Sequence, residues 1–251
     1  NIPASVTSLN NPAPYTYKLE AINVDPANPN YCSIGGVLYN KALTELIWVP
    51  HLCRSLEIPA TLTSFSTSQF SDRAELEEIK VDPDNPSYAS KDGVLYDKAM
   101  TRVLCVPYAV KSVEIADSCE TLSEWAFQYA NDLRTVSVPA RFTPIKSYFR
   151  GNCYRNLTSV TLKGPATEVP VEFCASCTSL VEVHLPETVT RIGTSAFHSC
   201  SSLTSLFLPD SVTEIGTYAF YGDTSLRDLV LGPCVTNIGA SAFYSCRSLT
   251  F

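Results

Sequence analysis

The sequence predicts an α/β solenoid: a right-handed stack of short coils with a parallel sheet on one face and short helical or 3₁₀ turns opposite, with hairpin insertions in the N-terminal half. Three observations predict it. Leu180-Val-Glu-Val183-His-Leu185-Pro186, Leu203-Thr-Ser-Leu206-Phe-Leu208-Pro209 and Leu226-Arg-Asp-Leu229-Val-Leu231-Gly232 are one phrase repeated at 23-residue intervals. Each continues as Val-Thr-x-Ile-Gly-x-x-Ala-Phe, from Val189 to Phe197, Val212 to Phe220 and Val235 to Phe243. Leu19-Glu-Ala-Ile22-Asn-Val24-Asp-Pro returns 57 residues later as Leu76-Glu-Glu-Ile79-Lys-Val81-Asp-Pro. A fixed period of this size marks units that stack, because one coil buries too little apolar surface to offset the ordering of its own backbone.

In chain order, Ile2-Pro-Ala-Ser-Val6-Thr-Ser-Leu9 matches Ile58-Pro-Ala-Thr-Leu62-Thr-Ser-Phe65, so the sequence opens partway through a coil. The strands at Leu19 and Leu76 each lead to a hairpin, Gly35-Gly36-Val37-Leu38-Tyr39 and Asp92-Gly93-Val94-Leu95-Tyr96. Gly-Gly and Asp-Gly suit two-residue turns because both positions take positive φ. Strands then run from Leu43 to Val49 and Met100 to Val106, stopped by Pro50 and Pro107. Opening positions follow at Cys53, Val110, Leu133, Leu157, Leu180, Leu203, Leu226 and Leu249.

Within a coil, apolar residues at positions 1, 4 and 6 give the period of a short strand with one face inward. Positions 10 and 13 (Val189 and Ile192) return inside, and Ala196-Phe197 reads as a helical turn inserting a ring. Phe127 holds the ring position of its coil, whereas Phe149 and Phe173 come one place early. The expected organisation is one continuous domain over 1–251, with irregular 57-residue double units over 1–109 and regular 23–24-residue repeats over 110–251. The last residues, Leu249-Thr-Phe251, lie mid-strand, and the sequence reads as a piece of a longer chain.

The pattern L-x-x-L-x-L-P…V-x-x-I-G-x-x-A-F-x-x-C resembles the BspA-like class of leucine-rich repeats, found in surface and secreted proteins of Bacteroidetes and some parasitic protists. It departs from commoner leucine-rich repeats in lacking the Asn that usually follows the strand. The resemblance implies a leucine-rich-repeat fold, an extracellular or outer-surface location and a role in adhesion to host surfaces. It says nothing of a ligand, because the class is defined by scaffold residues.

Composition removes other classes. The net charge is −7 and the pI about 5.0, with no basic run, which argues against a nucleic-acid partner. No apolar stretch reaches the roughly 18 residues of a membrane span. Of the ten cysteines, Cys153, Cys177, Cys200 and Cys246 share position 21, where other coils carry Ala130 and Asp223. They read as a buried column of small fillers, with inter-coil disulfides as the alternative. Cys53, Cys105 and Cys119 replace core residues, and reduced thiols are expected. Cys174-Ala-Ser-Cys177 has no second pair and no His at ligand spacing, so no zinc site is expected.

Candidate chemistry is sparse. His51, His184 and His198 are the three histidines, and no G-x-S-x-G elbow, phosphate loop or H-E-x-x-H is present. The chain reads as non-catalytic and without a cofactor. Asp82-Pro-Asp84-Asn85 offers clustered oxygens to calcium, but it lacks the spacing of a loop site and its counterpart Asp25-Pro-Ala27-Asn28 has lost an acid. Asp and Asn beside Pro are ordinary turn formers. Asn156-Leu-Thr158 is a lone glycosylation sequon.

The outward strand face is mostly polar, as a wet sheet should be. Phe207 and Val230 break that rule, with Val181 and His184 beside them, and are the candidate ligand contacts. Ile47 and Leu104 recur with the 57-residue unit and read as scaffold. The expected function is recognition of a protein or glycan ligand through this face, by a monomer or weak oligomer. A structural spacer or the accessory domain of a larger surface protein is the alternative.

Overall fold

In the computed structural model, residues 10–15, 70–72, 124–125, 141–154 and 251 are set aside and all others are described; the sequence expectations at Phe149 and Cys153 therefore lie outside the described residues. The chain forms two units, Asn1–Val110 and Lys111–Phe251.

The first unit is built twice over. Strands β1 (Tyr31–Ile34), β2 (Val37–Asn40) and β3 (Leu46–Trp48) make an antiparallel sheet. The pattern repeats, after the parallel pair β4 (Ser55–Ile58) and β5 (Glu78–Val81), as β6 (Tyr88–Lys91), β7 (Val94–Asp97) and β8 (Arg102–Cys105). The two-residue turns carry the expected positive φ at Gly35, Gly36, Asp92 and Gly93. Tyr39 and Tyr96 are fully buried, and the Tyr39 hydroxyl donates to the Glu57 carbonyl.

The second unit contains stacked coils. Its strand face pairs β9 (Ser112–Glu114), β11 (Thr135–Pro139), β12 (Ser159–Lys163) and β14 (Glu182–His184) in parallel, and β16 (Ser205–Phe207) pairs with β18 (Asp228–Val230). β10 (Thr121–Leu122) precedes β11 in the chain. A second parallel ladder stacks β13 (Glu168–Val169), β15 (Arg191–Ile192), β17 (Glu214–Ile215) and β19 (Asn237–Ile238). Leu180, Leu203 and Leu226 are buried, as are Val189, Val212, Ile192 and Ile215. Residues of equal phase lie above one another.

The expected helical turn is corrected. No α-helix forms among the described residues, and a 3₁₀ turn occurs only in the first unit, at Thr67–Gln69. Backbone bonding explains the difference. Ser195, Phe197 and Ser199 send their N–H groups to the carbonyls of Thr217, Ala219 and Tyr221 in the next coil. Only the alternate N–H groups, of Ala196, His198 and Cys200, bond three residues back. A helix needs every N–H for itself, and here half are spent between coils. Ser195 and Ser199 take φ of 53° and 61°, which no right-handed helix tolerates. The ring prediction still holds in the coils where Phe is described. Phe197 and Phe220 are fully buried and stack at 5.5 Å, and Phe220 stacks on Phe243 at 5.4 Å.

Candidate functional site

Along the strand face of the second unit, outward side chains form two rows. One contains Ser112, Thr135, Ser159 and Glu182, then Ser205 and Asp228. The other contains Glu114, Ser137, Thr161 and His184, then Phe207 and Val230. Phe207 and Val230 are register partners and are 72% and 58% exposed. Val181, at the entrance to β14, is 43% exposed. His184 sits on β14 with its Nε2 3.8 Å from Glu182 Oε2. His184, Phe207 and Val230 share the second outward row, Val181 precedes β14 outside both rows, and of the four only Phe207 and Val230 are register partners of one another.

The strand-face sheet is interrupted between β14 and β16. In intact rungs the position-2 carbonyl of one coil accepts two N–H groups from the next. Arg134 receives Thr158 and Ser159, Thr158 receives Val181 and Glu182, and Thr204 receives Arg227 and Asp228. Among the described residues no such bonds join Val181 to Thr204 and Ser205. The inward residues Val183 and Leu185 are correspondingly half-buried, where their counterparts Val160 and Leu162 in the coil before and Leu206 and Leu208 in the coil after are buried. The other two sides of the same coils stay joined, through β15–β17 and through the turn of residues 195–199. Glu182, which is exposed, borders the interruption, and the exposed Asp228 lies one rung beyond it on β18. The interruption itself has no sequence signal.

Other candidates resolve into scaffold. Asn85 is fully buried, donates from Nδ2 to the Pro59 and Leu62 carbonyls at 2.8 and 2.9 Å, and accepts the N–H groups of Ser87 and Tyr88 at Oδ1. Asn28 repeats this with Pro3, Val6, Asn30 and Tyr31. The Asp-Pro segment therefore pins coil to coil, and Asp82 Oδ1 accepts the Asp84 N–H. No group of three or more metal-ligating side chains gathers among the described residues. The sequon Asn156 donates to the Asn131 carbonyl of the preceding coil.

Position 21 is more than filler. Cys177 and Cys200 are fully buried, and the described cysteines are free thiols. Asp223, also fully buried, accepts the Cys200 N–H at Oδ1 at 2.7 Å, while its Oδ2 has no hydrogen-bond partner. Burial pushes its carboxyl up to about 9, against the pull of the Cys200 N–H. Burial likewise raises the thiols of Cys200 and Cys246, with the Asp223 charge adding to both.

Each histidine is accounted for by a neighbour: His51 meets Tyr17 edge-on at 5.2 Å, His198 stacks on Tyr221 at 5.0 Å, and His184 faces Glu182. Lys163 binds Asp117 Oδ1 at 2.6 Å and Glu114 Oε1 at 3.0 Å, spanning the coil between. Burial alone would lower it, but these carboxylates hold it above its ordinary value. No helix of the described residues is long and apolar enough to cross a membrane.

Residues 108–201 and 148–251 match the family model of the BspA type leucine rich repeat region, in six copies. No curated protein matches the chain. Among solved structures it is similar to a leucine-rich repeat protein from Eubacterium ventriosum, at 23% identity and a TM-score of 0.59, over 79% of this chain and 60% of that one. It is similar also to a leucine-rich repeat protein from Bacteroides ovatus, at 22% identity and a TM-score of 0.50, over the same shares. The chain thus spans 60% of the length of these relatives, and at such identities the likeness is one of fold.

Proposed function

From the premise that the chain belongs to the BspA-type leucine-rich-repeat family, we propose that it is a non-catalytic recognition module of a secreted or surface-exposed protein, binding a protein or glycan through its strand face. The observation that carries this reading is the exposed pair Phe207 and Val230, held in register on a face whose other positions are mostly polar. An aromatic ring that is 72% exposed gains by burial, and aromatic anchors dominate interface energies. Val181 and His184 extend the patch across the sheet interruption.

The test is a peptide and glycan array probed with the wild-type chain, each hit then titrated against Phe207→Glu. The side chain is exposed, so the variant keeps its fold, and affinity falls by about tenfold or more. Unchanged affinity moves the contact elsewhere. A chain with no saturable ligand supports a second reading, a rigid spacer. The Asn28 and Asn85 pins favour it, since they join coil to coil from inside the first unit without serving the outward face.

A further inference from the structure

The later coils place one ring and one small side chain in their turns: Phe197 with Cys200, Phe220 with Asp223 and Phe243 with Cys246, at positions 18 and 21. In the coil that opens at Leu157 both positions are cysteine, Cys174 and Cys177. The ring is still supplied there, because Phe173, one place earlier, is buried and meets Phe197 edge-on at 6.4 Å. Cys174 is therefore more than a filler for a missing aromatic side chain. The Cys177 N–H donates to the Cys174 carbonyl at 3.0 Å, closing a turn with Ser176 at φ 67°. Such a turn holds its end Cα atoms within about 7 Å, close to the span of a disulfide. Both side chains are buried, and the two thiols interact directly. We propose that Cys174 and Cys177 are a covalent modification site, a dithiol that closes to a disulfide by exchange with a small-molecule disulfide.

One thiol of the pair, as its thiolate, attacks a sulfur of the small disulfide and expels half of it as a thiolate that takes up a proton. The second, again as its thiolate, attacks the mixed disulfide, forms the Cys174–Cys177 bond and releases the other half as a thiol. The pair loses two electrons and two protons, and the small disulfide gains both. Cys200 does not compete, since its thiol donates to the Cys174 carbonyl at 3.2 Å and its N–H to Asp223. Burial, and next the Cys177 thiol, pushes the Cys174 thiol up, so the thiolate needed for exchange is scarce while the turn is folded. The N–H groups of Cys174 and Ser176, bonded to the Ala196 and His198 carbonyls, hold the turn against the next coil. Exchange therefore waits for the turn to open, and a bond made during folding is shielded afterwards. A secreted or surface-exposed chain folds in oxidising surroundings. The pairing itself follows from the turn, whether or not the strand face binds a ligand.

The test is refolding of the full chain from urea in a buffer of reduced and oxidised glutathione, followed by acid quench, alkylation of the remaining thiols and peptide mapping by mass spectrometry. Cys174 and Cys177 should emerge joined to each other and unalkylated, two hydrogens lighter than the dithiol, with Cys200 alkylated. Once formed, the bond should be reduced by dithiothreitol about tenfold more slowly in the folded chain than in urea. Cys174 and Cys177 both alkylated at every glutathione ratio would overturn the site, as would Cys177 joined to Cys200 or either thiol ending as a glutathione adduct. Equal reduction rates in the folded and unfolded chain would overturn the shielding. Every outcome is read on the wild-type chain, so none depends on the folding of a variant.

Discussion

Asp223 accepts the backbone N–H of Cys200 across one coil, at 2.7 Å, and does so from a fully buried carboxyl whose other oxygen has no partner. Cysteines occupy the equivalent position in the coils on either side, Cys200 and Cys246. A carboxyl placed there costs more than a thiol wherever it must ionise, because burial disfavours its charge.

Stability should therefore fall as pH rises. The folded-state pKa, about 9, lies above the ordinary carboxylate value, so the unfolded chain releases the proton at a pH where the folded chain still keeps it. Below the ordinary carboxylate pKa both folded and unfolded chains carry the neutral acid, and the pH-dependent loss is absent. The loss grows from there to about pH 9, at up to roughly 1.4 kcal/mol per pH unit. Asp223→Asn should be more stable than wild type at pH 8 and close to it at pH 4. Urea midpoints across that range (on the order of one pH unit apart) check it; parallel curves for the two proteins contradict it.

Gly216 marks a close approach. A Cβ there would lie 2.7 Å from the Thr194 nitrogen and 2.8 Å from the Ile192 carbonyl oxygen, both backbone atoms of the preceding coil that cannot swing aside. Gly216→Ala should destabilise the second unit by about 2–3 kcal/mol, read as a lowered thermal midpoint.

Asn85 satisfies two carbonyls and two N–H groups inside the first unit. Asn85→Ala strands all four, and the cost should be on the order of 3 kcal/mol. Added calcium should not shift the melting temperature of either protein, since the amide is committed to the backbone.

The recurrence of Leu180, Leu203 and Leu226 made the stack legible, because a shared phase in a fixed period leaves one side of each coil to be buried. Phe207 and Val230 were legible as neighbours for the same reason. The turn of residues 195–199 was misread because Ala-Phe spacing suits a helix equally well. What decides against one is bonding to another coil, which local sequence does not encode. The role of Asn85 was hidden behind the turn chemistry of Asp-Pro, and that of position 21 behind the hydrophobic character of cysteine. The interruption between β14 and β16 left no trace, since both coils carry an intact L-x-x-L-x-L phrase.

The most direct test of the interrupted strand face is residue-resolved amide exchange on the free protein. Arg227 and Asp228, both bonded to the Thr204 carbonyl, should be protected, while Thr204 and Ser205 exchange fast. Equal protection at the two rungs would mean that the sheet is continuous there.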